Sequence, residues 1–329
     1  MNTLPDGLHD FVAGAGWSEA EINPLPGDAS FRRYFRLRKG SGEGAMLMHA
    51  PPPHEDPAPF LKVAEWLGAN GLRAPEILAA DPAQGWVLLE DFGDDRMRDW
   101  LDDHPDQELA AYQGAIDALV ELHQRNPGPF EPYDMPTYQR EAGVFTEWYC
   151  PTIGLQVDAR GYDAAWEEAL TPVLDRQQPG VTVLRDYHAE NIMLLGDPSG
   201  GAPQGLIDFQ DALVGHPAYD LVSLLQDARR DVSPDLEGAM IERYLKQADA
   251  GPEFQEDYAR LGAQRNAKIV GIFTRLYKRD DKPRYLDMIP RVWAAMERDL
   301  AHPALEPVAR WFDANIPDEL RSSGGGTIT

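Results

Sequence analysis

Residues 183–193 have the sequence VLRDYHAENIM, in which Asp186 precedes Asn191 by five positions. Short apolar runs flank this polar segment at residues 181–184 and 192–195, so the sequence predicts a β-hairpin with the polar residues in its loop. A third apolar run, at residues 205–207, ends in a second acid, Asp208. Chance often places an Asp five residues before an Asn, but the order of strand, loop, strand and strand-Asp-Phe is much more specific.

These three polar side chains meet the chemical needs of phosphoryl transfer. One carboxylate must orient the attacking hydroxyl and accept its proton, while a carboxylate and an amide oxygen hold Mg²⁺ against the phosphates of ATP. Hard oxygen ligands suit Mg²⁺, and the sequence has no cluster of Cys and His that would indicate zinc. The alternative is that Asp186 and Asn191 only cap a tight loop and that Asp208 is a turn acid. That alternative explains each residue separately but not their order.

The composition is that of an acidic globular protein. The length of 329 residues is enough for one large domain or two ordinary ones, and 43% of the residues are hydrophobic. Thirty Lys and Arg stand against 55 Asp and Glu, and the formal net charge of −25 repels nucleic acid and anionic membranes. The N-terminus does not resemble a signal peptide, and no apolar run approaches the roughly 18 residues of a membrane helix. We therefore expect a cytoplasmic protein with no nucleic-acid or membrane partner, and infer no obligate protein partner.

The single cysteine, Cys150, excludes an intrachain disulfide. No basic residue lies beside Cys150 in the sequence to lower the pKa of its thiol, so we expect a packing residue and not a nucleophile.

The chain changes character near residue 91. Before it, residues 30–48 are typical of strands, residues 60–67 have an apolar stripe of helical period, and residues 86–89 form a short apolar run. From about residue 107 the pattern is mainly helical, with further helices expected at residues 234–249, 253–278 and 285–300. The sequence predicts an α+β, bilobal fold. Its parts are a small β-rich N-terminal lobe with a hinge (residues 1–91), a larger, mainly helical C-terminal lobe (92–321) and a disordered Gly/Ser-rich tail (322–329).

The sequence resembles the aminoglycoside phosphotransferase superfamily, whose fold is protein-kinase-like, and is most similar within it to the anomeric N-acetylmuramate/N-acetylglucosamine kinases. The resemblance extends over nearly the whole chain. It implies phosphorylation of the C1 hydroxyl of one or both sugars by ATP, in the recycling of bacterial cell-wall sugars. The matching motifs are GDASFRRYF (27–35), MHAPP (48–52), LLEDFG (88–93), RDYH (185–188), IDFQDA (207–212) and GIFTRL (271–276).

The resemblance implies a role for each matching residue of the catalytic segment. Asp186 is the expected catalytic base, and Asn191 and Asp208 are the expected Mg²⁺ ligands. Asp220 is similar to the buried acid that braces the catalytic loop in this superfamily.

The resemblance also implies where ATP binds. The turn from Gly27 to Ser30 is expected to cover the phosphates. Leu89, Glu90 and Asp91 are expected to form the hinge that pairs with adenine through backbone groups.

One departure concerns the phosphate-binding lysine that many kinases have in the N-terminal lobe, because Met48 stands at that position. A cation must still balance the phosphates. Arg32 and Arg33 follow the phosphate turn, and strand alternation would direct only one of them at the nucleotide; we favour Arg32. Both could instead be solvated strand residues, and a nucleotide-binding module without catalytic activity is a further alternative.

A locally basic helix is unexpected in so acidic a chain. Arg265, Lys268, Arg275 and Arg279 lie near one helical face. We expect Arg265 or Lys268 to contact the lactyl carboxylate of N-acetylmuramate. The alternative is a solvated face paired with surface acids.

Other substrate contacts are expected from Glu147, which lies among aromatic residues, and from His188, which lies in the catalytic loop. Core packing is the alternative for the aromatic segment, and His123 is expected to be structural. The acceptor could instead be an aminoglycoside or an amino alcohol.

Overall fold

The computed structural model of the protein describes residues 4–26, 31–196 and 204–328. The chain divides into two compact units, of which the first comprises Met1–Trp100 and Asn191–Asp211 and the second comprises Leu101–Glu190 and Ala212–Thr329. This division differs from the predicted boundary after Asp91. Residues 92–100 and 191–211, which were predicted to belong to the C-terminal lobe, fall in the first unit, and residues 191–211 interrupt the second unit along the chain.

In the described residues, strands predominate before residue 91 and helices after it. The strands are β1 (Glu21–Pro24), β2 (Arg33–Arg38), β3 (Gly44–His49), β4 (Ile77–Asp81), β5 (Trp86–Glu90), β6 (Val181–Val183), β7 (Ile192–Leu194), β8 (Gln204–Leu206) and β9 (Leu213–Gly215). The helices are α1 (Leu8–Gly14), α2 (Ala58–Ala69), α3 (Met97–Asp103), α4 (Glu108–His123), α5 (Met135–Val144), α6 (Cys150–Thr152), α7 (Ala159–Arg176), α8 (Ala218–Leu225), α9 (Pro234–Ala248), α10 (Phe254–Asp280), α11 (Ile289–Leu300), α12 (Glu306–Asn315) and α13 (Asp318–Ser322).

The first unit is built on an antiparallel sheet with the strand order β1-β2-β3-β5-β4. Phe35, Leu47 and Leu88 are paired across β2, β3 and β5, so their side chains share one face of the sheet. All three are fully buried, and α1 covers them with Leu8 and Val12. The apolar side chains that alternate along each strand thus form the core of this unit.

The two small two-stranded sheets differ from the predicted hairpin. The strands at residues 181–183 and 192–194 do not pair with each other. Instead β6 pairs with β9, and β7 pairs with β8, both antiparallel. Strands of three residues have too little pattern to specify a partner, and the partner of each strand comes from later in the chain.

The second unit is organised around α10, a helix of 27 residues. Acidic residues in its first turn and basic residues in its last turn complement the helix dipole. Most of α10 is buried, and it packs against α5, α8 and α11. Each fully buried apolar side chain of such a helix contributes about 1.5–3 kcal/mol, which compensates for the polar residues that α10 also buries.

The end of the chain differs from the predicted disordered tail. Residues 318–322 form α13, and Gly325 is buried. The hydroxyl of Tyr149 donates a hydrogen bond of 2.7 Å to the carbonyl of Gly325. A Cβ at Gly325 would approach the ring of Trp293 to 2.9 Å, so glycine is what allows this close packing.

None of the helices in the described ranges combines the length and the apolar character that a membrane-spanning helix requires.

Candidate active site

The loop that presents Asp186 follows β6 in the second unit. Asp220, fully buried on α8, accepts hydrogen bonds from the backbone N–H groups of Leu184 (2.7 Å) and Arg185 (2.8 Å). Arg185 has a φ of 73°, in the left-handed region that costs a non-glycine residue about 1–3 kcal/mol. Burial raises the pKa of Asp220 to about 7, while the two backbone donors oppose the rise. The position of Asp220 thus matches the bracing role that was expected from the sequence.

Asp186 is partly buried beside several cations. Burial raises its pKa, but the positive charge of Lys268, together with those of Arg265 and Arg185, outweighs burial and lowers the pKa below its ordinary value. The carboxyl group of Asp186 is therefore ionised at neutral pH and able to accept a proton or a hydrogen bond.

The basic residues of α10 do not form one exposed stripe. Arg265 is buried, and its Nη2 donates a hydrogen bond of 2.8 Å to Ser223 Oγ. Arg279 is exposed at the other end of the helix and pairs with Asp280. Charge at Arg265 and Lys268 thus acts on Asp186, a role that sequence reasoning missed. Whether either residue also contacts a substrate carboxylate stays a prediction.

Glu141, on α5, is an acid that contacts two of the cations around the loop. Its carboxylate is 8% exposed and accepts from Lys268 Nζ (2.7 Å), from Arg185 Nη2 and from the hydroxyl of Tyr133. Burial raises the pKa of Glu141, but Lys268 and Arg185 outweigh it and the net shift is downward. No local pattern in the sequence distinguishes Glu141 from the many other acids of the chain, so this residue was also missed.

His188 is buried within the loop. Its Nε2 lies 3.4 Å from Arg229 Nη1, and the neighbouring Glu190 forms a 2.8 Å ion pair with Arg229. Burial lowers the pKa of His188. These contacts indicate a role in holding the loop, and the substrate contact expected of His188 stays a prediction.

The expected metal ligands belong to the first unit, at the β7–β8 hairpin. The amide Nδ2 of Asn191 lies 3.5 Å from Asp208 Oδ2, and Gln210 Nε2 donates a 3.0 Å hydrogen bond to Asp208 Oδ1. The backbone N–H of Ile207 donates to the carbonyl of Asn191 (3.1 Å), which fixes the two residues side by side. Asp208 has a φ of 58°, so its backbone, like that of Arg185, is held in the left-handed region.

This pair of side chains fits Mg²⁺. The ion is usually held by one or two carboxylates, with phosphate oxygens of the substrate completing its shell. Asp208 is exposed and supplies such a carboxylate. A half-turn of the Asn191 amide presents its oxygen in place of its nitrogen. The described residues contain no group of three or more His, Cys, Asp and Glu side chains that could hold a metal ion.

Arg32 stands close to this pair. Its Nη1 lies 3.8 Å from Asp208 Oδ1, and its Nε lies 3.4 Å from Glu55. Met48 is fully buried, with its sulfur 3.5 Å from the hydroxyl of Tyr34. Within the first unit, Arg32 thus lies beside the expected metal ligand Asp208. The contact of Arg32 with the nucleotide phosphates stays a prediction.

The family model described as the phosphotransferase enzyme family matches residues 21–263 of the chain. The protein belongs to this family and is a phosphotransferase. Several relatives extend the match over most of the chain. A protein of Caulobacter vibrioides named N-acetylmuramate/N-acetylglucosamine kinase is 38% identical, over 94% of this chain and 96% of the relative. A Pseudomonas aeruginosa protein of the same name is 38% identical over 89% of each chain.

Solved structures resemble this phosphotransferase in fold. The gentamicin complex of APH(2'')-IIa superposes with a TM-score of 0.63 at 13% identity, covering 93% of this chain and 99% of the other. ADP-bound APH(2'')-Ib gives 0.61 at 12% identity, covering 91% and 100%. These likenesses confirm the predicted α+β, protein-kinase-like fold, with its small β-rich part and its larger, mainly helical part.

The nucleotide-binding residues expected in the phosphotransferase can be placed only in part. Gly27 and Ser30 lie outside the described residues. Leu89 and Glu90 end β5, where the N–H of Glu90 donates to the carbonyl of Glu76 (2.9 Å) and is therefore already engaged. The carboxylate of Glu90 pairs with Arg73.

Asp91, next in the segment, accepts from Arg36 Nη2 (3.1 Å) and from the N–H of Gly93 (3.0 Å). The side chains of the expected hinge thus stabilise the segment itself. Pairing of its backbone with adenine stays a prediction.

Glu147 lies exposed on a π-helical turn, Phe145–Tyr149, between α5 and α6. Such turns are frequent at functional sites. Cys150, which follows the turn, is buried, and burial raises the pKa of its thiol to about 12. That pKa agrees with the expected packing role, while the substrate contact of Glu147 stays a prediction.

Proposed function

We propose that this phosphotransferase transfers the γ-phosphoryl group of ATP to the anomeric C1 hydroxyl of N-acetylmuramate, N-acetylglucosamine or both. The observation that carries the proposal is the set of four relatives, 34–38% identical over 80–94% of the chain, that all have the name N-acetylmuramate/N-acetylglucosamine kinase. The ionised carboxylate of Asp186 and the paired Asn191 and Asp208 supply the protein groups that such a transfer needs. A product of this kind would serve the recycling of cell-wall sugars in the cytoplasm, where ATP is available.

In the proposed reaction, Asp186 accepts the proton of the acceptor hydroxyl while the hydroxyl oxygen bonds to the γ-phosphorus. The bond from the γ-phosphorus to its bridging oxygen breaks, and ADP leaves. An anomeric hydroxyl is more acidic than an ordinary alcohol, so a carboxylate of low pKa is a sufficient base. Asn191 and Asp208 would hold Mg²⁺, which when bound neutralises charge on the phosphates, and Arg32 would add a further positive charge.

The test is a panel of acceptors with ATP and Mg²⁺, followed by ³¹P NMR. We expect a sugar 1-phosphate from N-acetylmuramate or N-acetylglucosamine and no product from the methyl glycoside of N-acetylglucosamine, whose C1 hydroxyl is blocked. Asp186→Asn is expected to lower kcat by about 10²–10⁴-fold, the usual contribution of a general base. Asp175→Asn, at an exposed site on α7, is the matched control and should keep full activity.

Three results would contradict the proposal. Full activity of Asp186→Asn would refute the role of the base. Phosphorylation of the blocked glycoside would refute the anomeric position. Transfer only to an aminoglycoside or choline, both included in the panel, would refute the choice of sugar.

A further inference from the structure

A cavity of about 380 Å³ opens in the second unit beside the catalytic loop. Its volume lies within the range of roughly 300–1,000 Å³ that is usual for small-molecule sites. One wall is the first half of α5, with Thr137 and Arg140, and another includes Arg185, which directly precedes Asp186. The cavity is therefore adjacent along the chain to the residue assigned as the base.

The lining of the cavity is polar in a way that suits a sugar. Two exposed acids, Glu131 and Asp134, offer carboxylate oxygens to which sugar hydroxyls can donate. Asp134 caps α5, with its Oδ1 accepting from the N–H of Thr137 at 3.0 Å. The hydrogen bond from Thr137 lowers the pKa of Asp134, so its carboxylate is ionised and a strong acceptor.

Arg140 and Arg185, the two cations of the cavity, differ in whether a carboxylate pairs with them. Arg185 is matched by the buried carboxylate of Glu141. Arg140 is exposed, and its Nη2 donates to Thr137 Oγ1 at 3.3 Å. Among residues 4–26, 31–196 and 204–328, no carboxylate lies within ion-pair distance of the Arg140 guanidinium. After the hydrogen bonds from Thr137, the charge of Arg140 also lowers the pKa of Asp134 on the same cavity, but the two do not form an ion pair. The guanidinium can therefore accept a carboxylate from outside the protein.

We propose that this cavity binds the acceptor sugar and that Arg140 binds the carboxylate of an acidic amino sugar. The inference rests on the proposed function and adds a specificity-determining residue to it. A guanidinium can form two parallel hydrogen bonds with a carboxylate, which a lysine ammonium cannot match in geometry. N-acetylglucosamine has no lactyl carboxylate, so its turnover does not depend on Arg140. Arg265 already donates to Ser223 and Lys268 to Glu141, so Arg140 is an alternative to the carboxylate contact that the sequence predicted for these two residues.

The experiment compares steady-state kinetics with the two sugars at saturating ATP. Arg140→Ala is expected to lower kcat/KM for N-acetylmuramate by roughly 10–100-fold, mainly through KM, because it removes a charge-assisted contact. The values for N-acetylglucosamine should be unchanged. Arg140→Lys should recover part of the loss, and the matched control Arg160→Ala, at an exposed arginine on α7, should affect neither sugar.

Each other outcome overturns the inference. An unchanged KM for N-acetylmuramate in Arg140→Ala excludes the contact, and an equal loss with both sugars shows a general role in folding or binding. A wild-type protein that phosphorylates N-acetylglucosamine but not N-acetylmuramate overturns the inference while leaving the proposed kinase activity intact.

Calorimetric titration of both sugars, without ATP, separates the inference from the proposed function. If the wild-type protein phosphorylates neither sugar, the proposed function fails. The role of Arg140 is then decided by whether Arg140→Ala weakens N-acetylmuramate binding; absence of binding by the wild type overturns it as well.

Discussion

At Gly271, on α10, we expect the addition of a single methyl group to disturb the packing between two elements of the second unit. A Cβ added there would lie 2.4 Å from the carbonyl carbon of Val144, 2.5 Å from its oxygen and 2.6 Å from the nitrogen of Phe145. Ordinary contacts of a Cβ begin at 3.4 Å, so α10 and the start of the π-helical turn would have to separate by about 1 Å. All three neighbouring atoms belong to the backbone and cannot rotate away.

The expected magnitude for Gly271→Ala follows from two opposing terms. Overpacking costs about 1–3 kcal/mol, and a clash with backbone belongs at the upper end of that range. Alanine is better than glycine inside a helix by about 0.8–1 kcal/mol. The net expectation is a loss of about 2 kcal/mol of unfolding free energy, which corresponds to a fall of roughly 4–8 °C in Tm for a domain of this size.

Gly238→Ala is the matched control. Gly238 lies within α9, and a Cβ there would have no neighbour within 4 Å. Only the helix term remains, so this variant should gain up to about 1 kcal/mol. The measurement is thermal unfolding of both variants and the wild type by circular dichroism. A Tm for Gly271→Ala at or above that of the wild type would refute the reasoning. Because the clash displaces the turn that presents Glu147, we also expect a lower kcat/KM from Gly271→Ala than from Gly238→Ala.

Two further predictions concern the catalytic charges. Lys268 lowers the pKa of Asp186, and the proposed base must be ionised to act. Lys268→Met should therefore move the acidic limb of the pH profile of kcat/KM to higher pH. Lys268→Arg should leave the limb in place, and an unmoved or more acidic limb in Lys268→Met would contradict the assignment. Arg32→Met should raise KM for ATP by roughly 10-fold or more, because it removes a charge-assisted contact. Arg32→Lys should give a smaller rise. Equal KM values in the wild type and Arg32→Met would exclude a phosphate contact.

Local patterns predicted the elements of the fold more reliably than their pairing. The helix expected at residues 234–249 is α9, Pro234–Ala248, because a capping serine and a proline mark its start. The β6–β7 hairpin was wrong because three-residue apolar strands do not specify a register or a partner. The tail was predicted from its Gly/Ser content, yet its glycines are what permit its packing against Trp293.

The candidate site shows the same limit. Asp186, Asn191 and Asp208 could be singled out because they lie within one short stretch and next to short apolar strands. Glu141 could not, because it meets Arg185 from 44 positions away and Lys268 from 127 positions away. Contacts at such separations depend on how α5 and α10 pack, which no local spacing encodes.

The discontinuous course of the first unit limits how this protein can be cut or recombined. A fragment that ends at Trp100 would contain the whole five-stranded sheet but neither Asn191 nor Asp208, since both belong to residues 191–211. Expression of the remainder alone would leave that hairpin without the sheet with which it is grouped. We therefore expect that gene fusions and split-protein reporters made at the end of the sheet would separate the proposed metal ligands, Asn191 and Asp208, from the rest of their unit.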